Sequence, residues 1–169
     1  EISYFNNIMA QLDVASPKDV EDIRIELTTE GYIRTKKKSK QRPKVSHPDR
    51  FESSDGTLIE VGKNNLQNER LSLKQADRRD IWLHVQKIPG SHVIIHDANP
   101  SEATLIEAAK LAAYYSKARD SANVPVDYLP AGKLRKPNGA KPGFVIFEGQ
   151  QTLYVTPDAA LVSQLKIKK

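Results

Sequence analysis

The sequence predicts an α+β domain: an N-terminal helical hairpin, then a mainly antiparallel sheet of about five to seven strands backed by one long and one short helix. Three observations predict it. Two capped or apolar-striped runs fill the first 30 residues at helical spacing. Two extended runs, Ile81 to Val85 and His92 to Ile95, flank the turn signal Pro89-Gly90. A long run with many small residues follows Ser101.

In chain order, EISYFNNIMAQL places Ile2, Phe5, Ile8, Met9 and Leu12 on one helical stripe. A second helix opens with Ser16 as cap, Pro17 at its first position and Asp19 completing a capping box. Val20, Ile23, Ile25 and Leu27 supply its apolar contacts; Asp19, Glu21 and Asp22 suit the positive end of its dipole, and Gly31 stops it. If a longer chain precedes Glu1, as the absence of a starting Met suggests, this pair is the returning end of a coiled coil.

Residues 34–50, RTKKKSKQRPKVSHPDR, have almost no apolar content and read as a mobile basic linker between a hairpin at 1–33 and a domain at 51–169. The sharper reading makes Arg34, Lys36, Lys37 and Lys38 auxiliary phosphate contacts. Phe51, the Asp55-Gly56 turn and Leu58 to Val61 predict a hairpin. Gly62 and the asparagines after it lead into a short helix around Gln67 to Ala76, where those amides cap the helix or read base edges and phosphates; spacing favours capping.

In Ile81 to Val85 the aliphatic residues alternate with Trp82 and His84. His92, Ile94 and His96 continue that second face on the next strand. Ser101 caps SEATLIEAAKLAAYYSKAR, whose Leu105, Ala108, Ala109, Ala112 and Tyr115 form a face for close packing on a sheet. Strands are predicted at Val124 to Leu129, Gly143 to Phe147 and Thr152 to Val155. Lys133, Arg135, Lys136 and Lys141 lie in the loop among glycines and prolines, held on one side of the sheet. The end, LVSQLKIKK, is a short amphipathic tail that frays.

Charge is unevenly spread. Residues 1–30 have two basic and seven acidic groups, 31–50 eight and one, 51–130 nine and eleven, and 131–169 seven and two. Two basic blocks therefore flank a nearly neutral middle, and the net charge of +5 favours a polyanionic partner. The chain has no cysteine, which excludes disulfides, zinc-thiolate sites and thiol catalysis within it and suits the cytoplasm. No apolar run reaches the length of a membrane span, so no membrane insertion is expected.

His84, His92 and His96 share strand parity with Asp97 adjacent, but His92 and His96 stand too far apart on one strand to hold a single ion. Ser91 and His92 point to opposite faces, unlike a nucleophile and its base. Residues 132–143 lack the Gly-Lys-Ser/Thr end of a phosphate loop. The expectation is a binding protein without enzymatic activity, metal or cofactor. Nucleic-acid binding needs cations, a flat ring and hydrogen-bonding side chains, and all three lie near one sheet. Trp82 is either a stacking platform or a core residue.

The runs GTLIEVGKNNLQNERL, DIWLHVQKIPGSHVII, AAKLAAYYSKAR and VDYLPAGKLRKPNGAKPGFV closely resemble the NFACT-R domain of the NEMF/RqcH family over about residues 50–158. Residues 1–30 resemble the end of the coiled-coil arm that precedes it. The resemblance implies ribosome-associated quality control: binding to a large ribosomal subunit blocked by peptidyl-tRNA, recruitment of alanyl-tRNA, and C-terminal alanine tailing. It assigns RNA binding to Lys63, Asn64, Asn65, Asn68, Trp82, His84, His92, Lys133 and Lys141, with Arg135 and Lys136 in the same basic loop. Bacterial members are also labelled fibronectin-binding proteins, so the alternative is an adhesion module for host fibronectin or fibrinogen at the cell surface.

Overall fold

The computed structural model describes residues 2–32 and 45–167. Helices α1 (Ile2–Leu12) and α2 (Pro17–Thr29) form the hairpin. Six strands follow: β1 (Asp49–Glu52), β2 (Leu58–Val61), β3 (Ile81–Val85), β4 (Val93–Ile95), β5 (Val124–Pro130) and β6 (Gln151–Val155). They form one antiparallel sheet in the order β1-β2-β4-β3-β5-β6. Between β2 and β3 lies α3 (Asn65–Glu69), running into a π-helical turn at Arg70–Gln75; α4 (Glu102–Tyr114) precedes β5 and α5 (Ala159–Leu165) ends the chain. The predicted α+β class, the helical hairpin and the antiparallel sheet are all present.

Strand parity sorts the core into two layers. Ile59, Ile95 and Ile81 lie in register, and with Phe51, Leu83 and Val93 they pack against the alanine-rich face of α4. On the opposite face Ile94, Trp82 and Leu129 lie in register under Leu71, Leu134 and the half-buried Val145 and Phe147. The small α4 residues let helix and sheet approach closely, and Ser101 caps the helix by accepting the Thr104 amide hydrogen. Gly90 serves a second close approach: a Cβ there would stand 2.8 Å from Val85 Cγ2 and 2.9 Å from Ser116 Cβ. The antiparallel bridge between Gly90 and Ser116 depends on its absence.

Several local expectations are corrected. Of the stripe Ile2, Phe5, Ile8, Met9 and Leu12 only Ile8 is buried; α1 buries Tyr4 and Gln11 beside it while the other four of the stripe are exposed. On α2 the buried line is Asp19, Asp22, Ile23 and Glu26, while Val20 is exposed. Ile8 and Ile23 of the predicted stripes do pack together with Tyr4 and Leu27, but the rest of the buried face of both helices is polar, which apolar periodicity does not select. Residues 143–147 do not form a strand; a single bridge joins Arg135 to Ile146, and the segment, opened by Pro142 and Gly143 at φ 80°, folds down over Trp82 as a cover. The helix after Ser101 ends at Tyr114, because Ser116 turns away to pair with Gly90. Through Ile167 the tail is packed: Asp158 caps α5, Val162 and Leu165 are buried, and the Ile167 amide donates to the Arg50 carbonyl at 3.0 Å; its last two residues lie outside the described ones. Strand β1 begins at Asp49, two residues before Phe51.

Candidate nucleic-acid interface

The segment GKNNLQN builds a buried polar joint rather than an exposed contact surface. Lys63 Nζ sits 2.9 Å from Asp19 and 3.4 Å from Asp49. Gln67 Nε2 donates to Asp19 Oδ1 at 2.8 Å, Asn64 Nδ2 to Asp22 at 3.2 Å, and Asn65 Nδ2 to Glu26 at 2.9 Å. Gln11 and Asn7 donate to Asn65 Oδ1, and the Tyr4 hydroxyl donates to Glu26. Asn64 also caps α3 by accepting the Gln67 amide hydrogen. Asn68 Oδ1 accepts from the His92 amide at 3.1 Å, and Gly62 is required beside it, since a Cβ there would stand 2.2 Å from that oxygen. Lys63, Asn64, Asn65 and Asn68 are therefore not exposed as a contact surface: all four are buried, the first three with side chains bonded to the hairpin and Asn68 to the His92 amide. The favoured reading of the asparagines, as capping residues, holds for Asn64.

Burial opposes ionisation of Asp19, but the Ser16 amide, Lys63 and Gln67 outweigh it and hold its carboxyl below the ordinary value. Burial dominates at Glu26 and pushes that carboxyl up. One acid of this stripe is thus stabilised as a charge, and the other is biased towards its neutral form.

One group of exposed cations lies beside the second face. Leu71 of the π-helical turn packs with Leu134, which sets the turn beside the 133–136 loop, and Lys136 Nζ reaches Glu69 at 2.5 Å. Arg78 and Arg79 join them, because the Gly132 amide donates to the Arg78 carbonyl at 2.9 Å and the Ala131 amide to the Asp80 carbonyl at 2.8 Å. A hollow of about 530 Å³ lies between Asp77, Arg78, Arg79, Gly132 and Lys133. Arg70, Lys74, Arg78, Arg79, Lys133 and Arg135 are exposed or half-exposed, with no carboxylate within 4 Å among the described residues. Such unpaired cations are what a phosphate backbone requires. Of the cations exposed here, sequence reading named Lys133, Arg135 and Lys136 and did not name Arg70, Lys74, Arg78 and Arg79, although the Arg78-Arg79 pair before β3 is a usable signal. Arg34, Lys36, Lys37 and Lys38 lie outside the described residues.

Trp82, His84, His92 and Lys141 do meet, in a cleft of about 890 Å³ between the start of α1, Tyr32, the β3–β4 turn and the 137–147 loop. Trp82 is not an open platform: it is 1% exposed, parallel to His84 at 5.6 Å and tilted against Phe147 at 5.0 Å. The core alternative for this ring is the correct one. His92 is buried edge-on to Trp82, with Nδ1 2.7 Å from Ser72 Oγ. Enclosure pushes both His84 and His92 below the ordinary imidazole value, His92 well below it. Lys141 pairs with Glu30 at 3.1 Å and lies over the rings of Tyr4 and Tyr32 at 5.2 and 5.1 Å.

His96 belongs to neither place. It bridges Glu60 at 2.7 Å and Asp80 at 3.1 Å, and these carboxylates, Glu60 first, raise its pKa against the effect of burial. A raised folded pKa stabilises the fold below the unfolded value of about 6.5, and the contribution is lost as pH rises through the folded pKa. His84 and His92 act oppositely, costing stability as pH falls below about 6.5. Urea melts of His96→Gln should therefore show a larger deficit against the unaltered protein at pH 5.5 than at pH 9. An equal deficit at both would show that His96 gains no charge on folding. Among the described residues, no three His, Asp or Glu side chains are grouped to hold a metal ion, and no helix is long and apolar enough to cross a membrane.

Comparison with known proteins adds a family. Residues 48–149 match the model of the NFACT protein RNA binding domain. The chain is 50% identical to the Rqc2 homolog RqcH of Bacillus subtilis and 43% identical to that of Streptococcus pneumoniae, in each case over 98% of its own length. It spans only 30% of the length of these curated relatives. A solved structure of the C-terminal part of the fibronectin/fibrinogen-binding protein from Streptococcus suis superposes with a TM-score of 0.93 at 44% identity, covering 98% of this chain and 68% of that one.

Proposed function

Because the chain belongs to the family of NFACT protein RNA binding domains, we propose that it is the RNA-binding module of a ribosome-associated quality control factor. It would hold ribosomal RNA or tRNA on a stalled large subunit and so support alanine tailing of the blocked nascent chain. The observation that supports this most is the unpaired cation surface formed by Arg70, Lys74, Arg78, Arg79, Lys133 and Arg135. Its electrostatics suit a phosphate backbone, and the cleft beside it offers groups for single-stranded features. On this reading the chain binds and does not catalyse, needs no cofactor, and works in the cytoplasm on the ribosome.

The test is binding of this chain to purified large ribosomal subunits and to tRNA across a salt series. Saturable binding should weaken linearly in log–log form, by about 0.7 to 0.9 decades per decade of salt for each phosphate contact. A flat salt response would remove the phosphate-contact reading.

A second reading has one observation of its own. The Streptococcus suis relative is named for fibronectin and fibrinogen, and β6 ends the sheet with its outer edge unpaired among the described residues. Such an edge can accept an added strand from an extended peptide. Adhesion of that kind would survive high salt, which separates it from the first reading.

A further inference from the structure

We infer that the cleft beside Trp82 holds a single nucleotide swung out of the bound RNA, with the base inside and its phosphate at the mouth. This rests on the RNA-binding reading above and goes beyond it, because the cation surface alone would bind any phosphate backbone. A cleft of about 890 Å³ is within the range that encloses a small ligand, and a stacked duplex cannot enter it.

Four features of the lining point to a nucleotide. Phe144 stands in the wall with 56% of its surface exposed and joins none of the hydrophobic cores, so its ring is free to stack. Trp82 is a wall residue whose buried Nε1 has no acceptor. Leaving such a donor unmatched is costly, and a base entering the cleft would supply an acceptor to the indole once the Phe147 cover packed on that ring shifts aside. Lys87, also lining the cleft, is exposed, has no carboxylate within 4 Å among the described residues, and holds a left-handed backbone at φ 62°. A lysine kept in that strained region at a cleft mouth marks a functional constraint, and a phosphate is the group its ammonium would meet. Finally, the loop carrying Arg135 and Lys136 on the cation surface continues directly into the cleft wall at residues 137–147. A strand tracking the cations is thereby led to the cleft.

The acids nearby restrict where the phosphate can lie. Glu30 pairs with Lys141, itself held over two tyrosine rings, and the Asp127 carboxylate, which accepts hydrogen bonds from Gln86 and Thr152 but has no cation paired to it, places the phosphate on the Lys87 side and away from its own part of the wall. The imidazoles of His84 and His92 are biased to the neutral form, which suits contact with a base rather than a phosphate.

The experiment uses two RNA hairpins with the same stem, one fully paired and one with a single bulged nucleotide, and follows both affinity and the emission of Trp82, the chain's one tryptophan. The bulged hairpin should bind about tenfold more tightly, the worth of one stacked base, and change the Trp82 emission. Phe144→Ala and Lys87→Asn, the latter tolerating the left-handed backbone, should collapse that preference towards unity. Equal affinity for the two hairpins with unchanged emission would overturn the cleft assignment while leaving the RNA-binding reading intact. If neither hairpin binds even at low salt, the RNA-binding reading itself falls, and this inference with it.

Discussion

Lys63→Met is expected to lower the stability of the fold by about 3 kcal/mol, read as a shift of the urea midpoint at unchanged slope. The ammonium is only 7% exposed and lies between the carboxylates of Asp19, which is fully buried, and Asp49. Removing one partner of a buried pair strands the other, which costs about 3–5 kcal/mol. The lower end applies because Asp19 keeps hydrogen bonds from Gln67 and the Ser16 amide, and Asp49 keeps the half-exposed Lys166 at 3.6 Å. Asp49 Oδ2 has no hydrogen-bond partner, so its contacts with both lysines are ionic only. The two possible roles of Lys63 now give opposite results. A surface phosphate contact would lose RNA affinity with stability intact; the buried joint loses stability first. A loss below about 1 kcal/mol, the ordinary value of an exposed pair, would show that the joint is open in solution.

The joint also shows where sequence reading stops. Strands β2 to β5 were legible as short runs rich in aliphatic and aromatic residues bounded by turn signals, and α4 because a serine cap and a run of small residues agree. Strand parity put Trp82, His84 and His92 on one face, and the structure does gather them at one cleft. No such rule exposes a buried polar network. Asp19, Asp22 and Glu26 follow helical spacing, but acids ordinarily face water, so the apolar residues beside them were read as the packing face. Their partners lie about 40 residues downstream, between Lys63 and Gln67, and nothing local links the two segments. Averaging had a similar effect on charge. Residues 51–130 carry nine basic and eleven acidic groups, yet the cations of its 70–79 stretch gather on one surface while Glu60 and Asp80 turn inward to His96.

That distribution leads to the largest expected effect on binding. Replacing Arg78, Arg79, Lys133 and Arg135 together with glutamine should reduce the log–log salt slope for single-stranded RNA by about 2.8, at roughly 0.7 for each lost phosphate contact. If the two proteins converge in affinity near 1 M salt, the variant at 0.1 M binds on the order of 10²–10³-fold more weakly. The four side chains are surface groups with no ion pair among the described residues, so folding should be preserved and urea midpoints should stay within about 0.5 kcal/mol of the unaltered protein. Changing Lys136 and Lys141 instead should have a smaller effect on the slope, because Glu69 and Glu30 already neutralise them. The contrast between the two sets makes the test specific to place and not merely to charge. Equal losses per charge removed, so that the pair costs half of what the four cost, would mean that RNA responds to net charge alone, with no defined surface between the π-helical turn and the 133–136 loop. A selective loss from the first set locates the phosphate track there. It also sets the direction from which a strand would run into the cleft at Phe144.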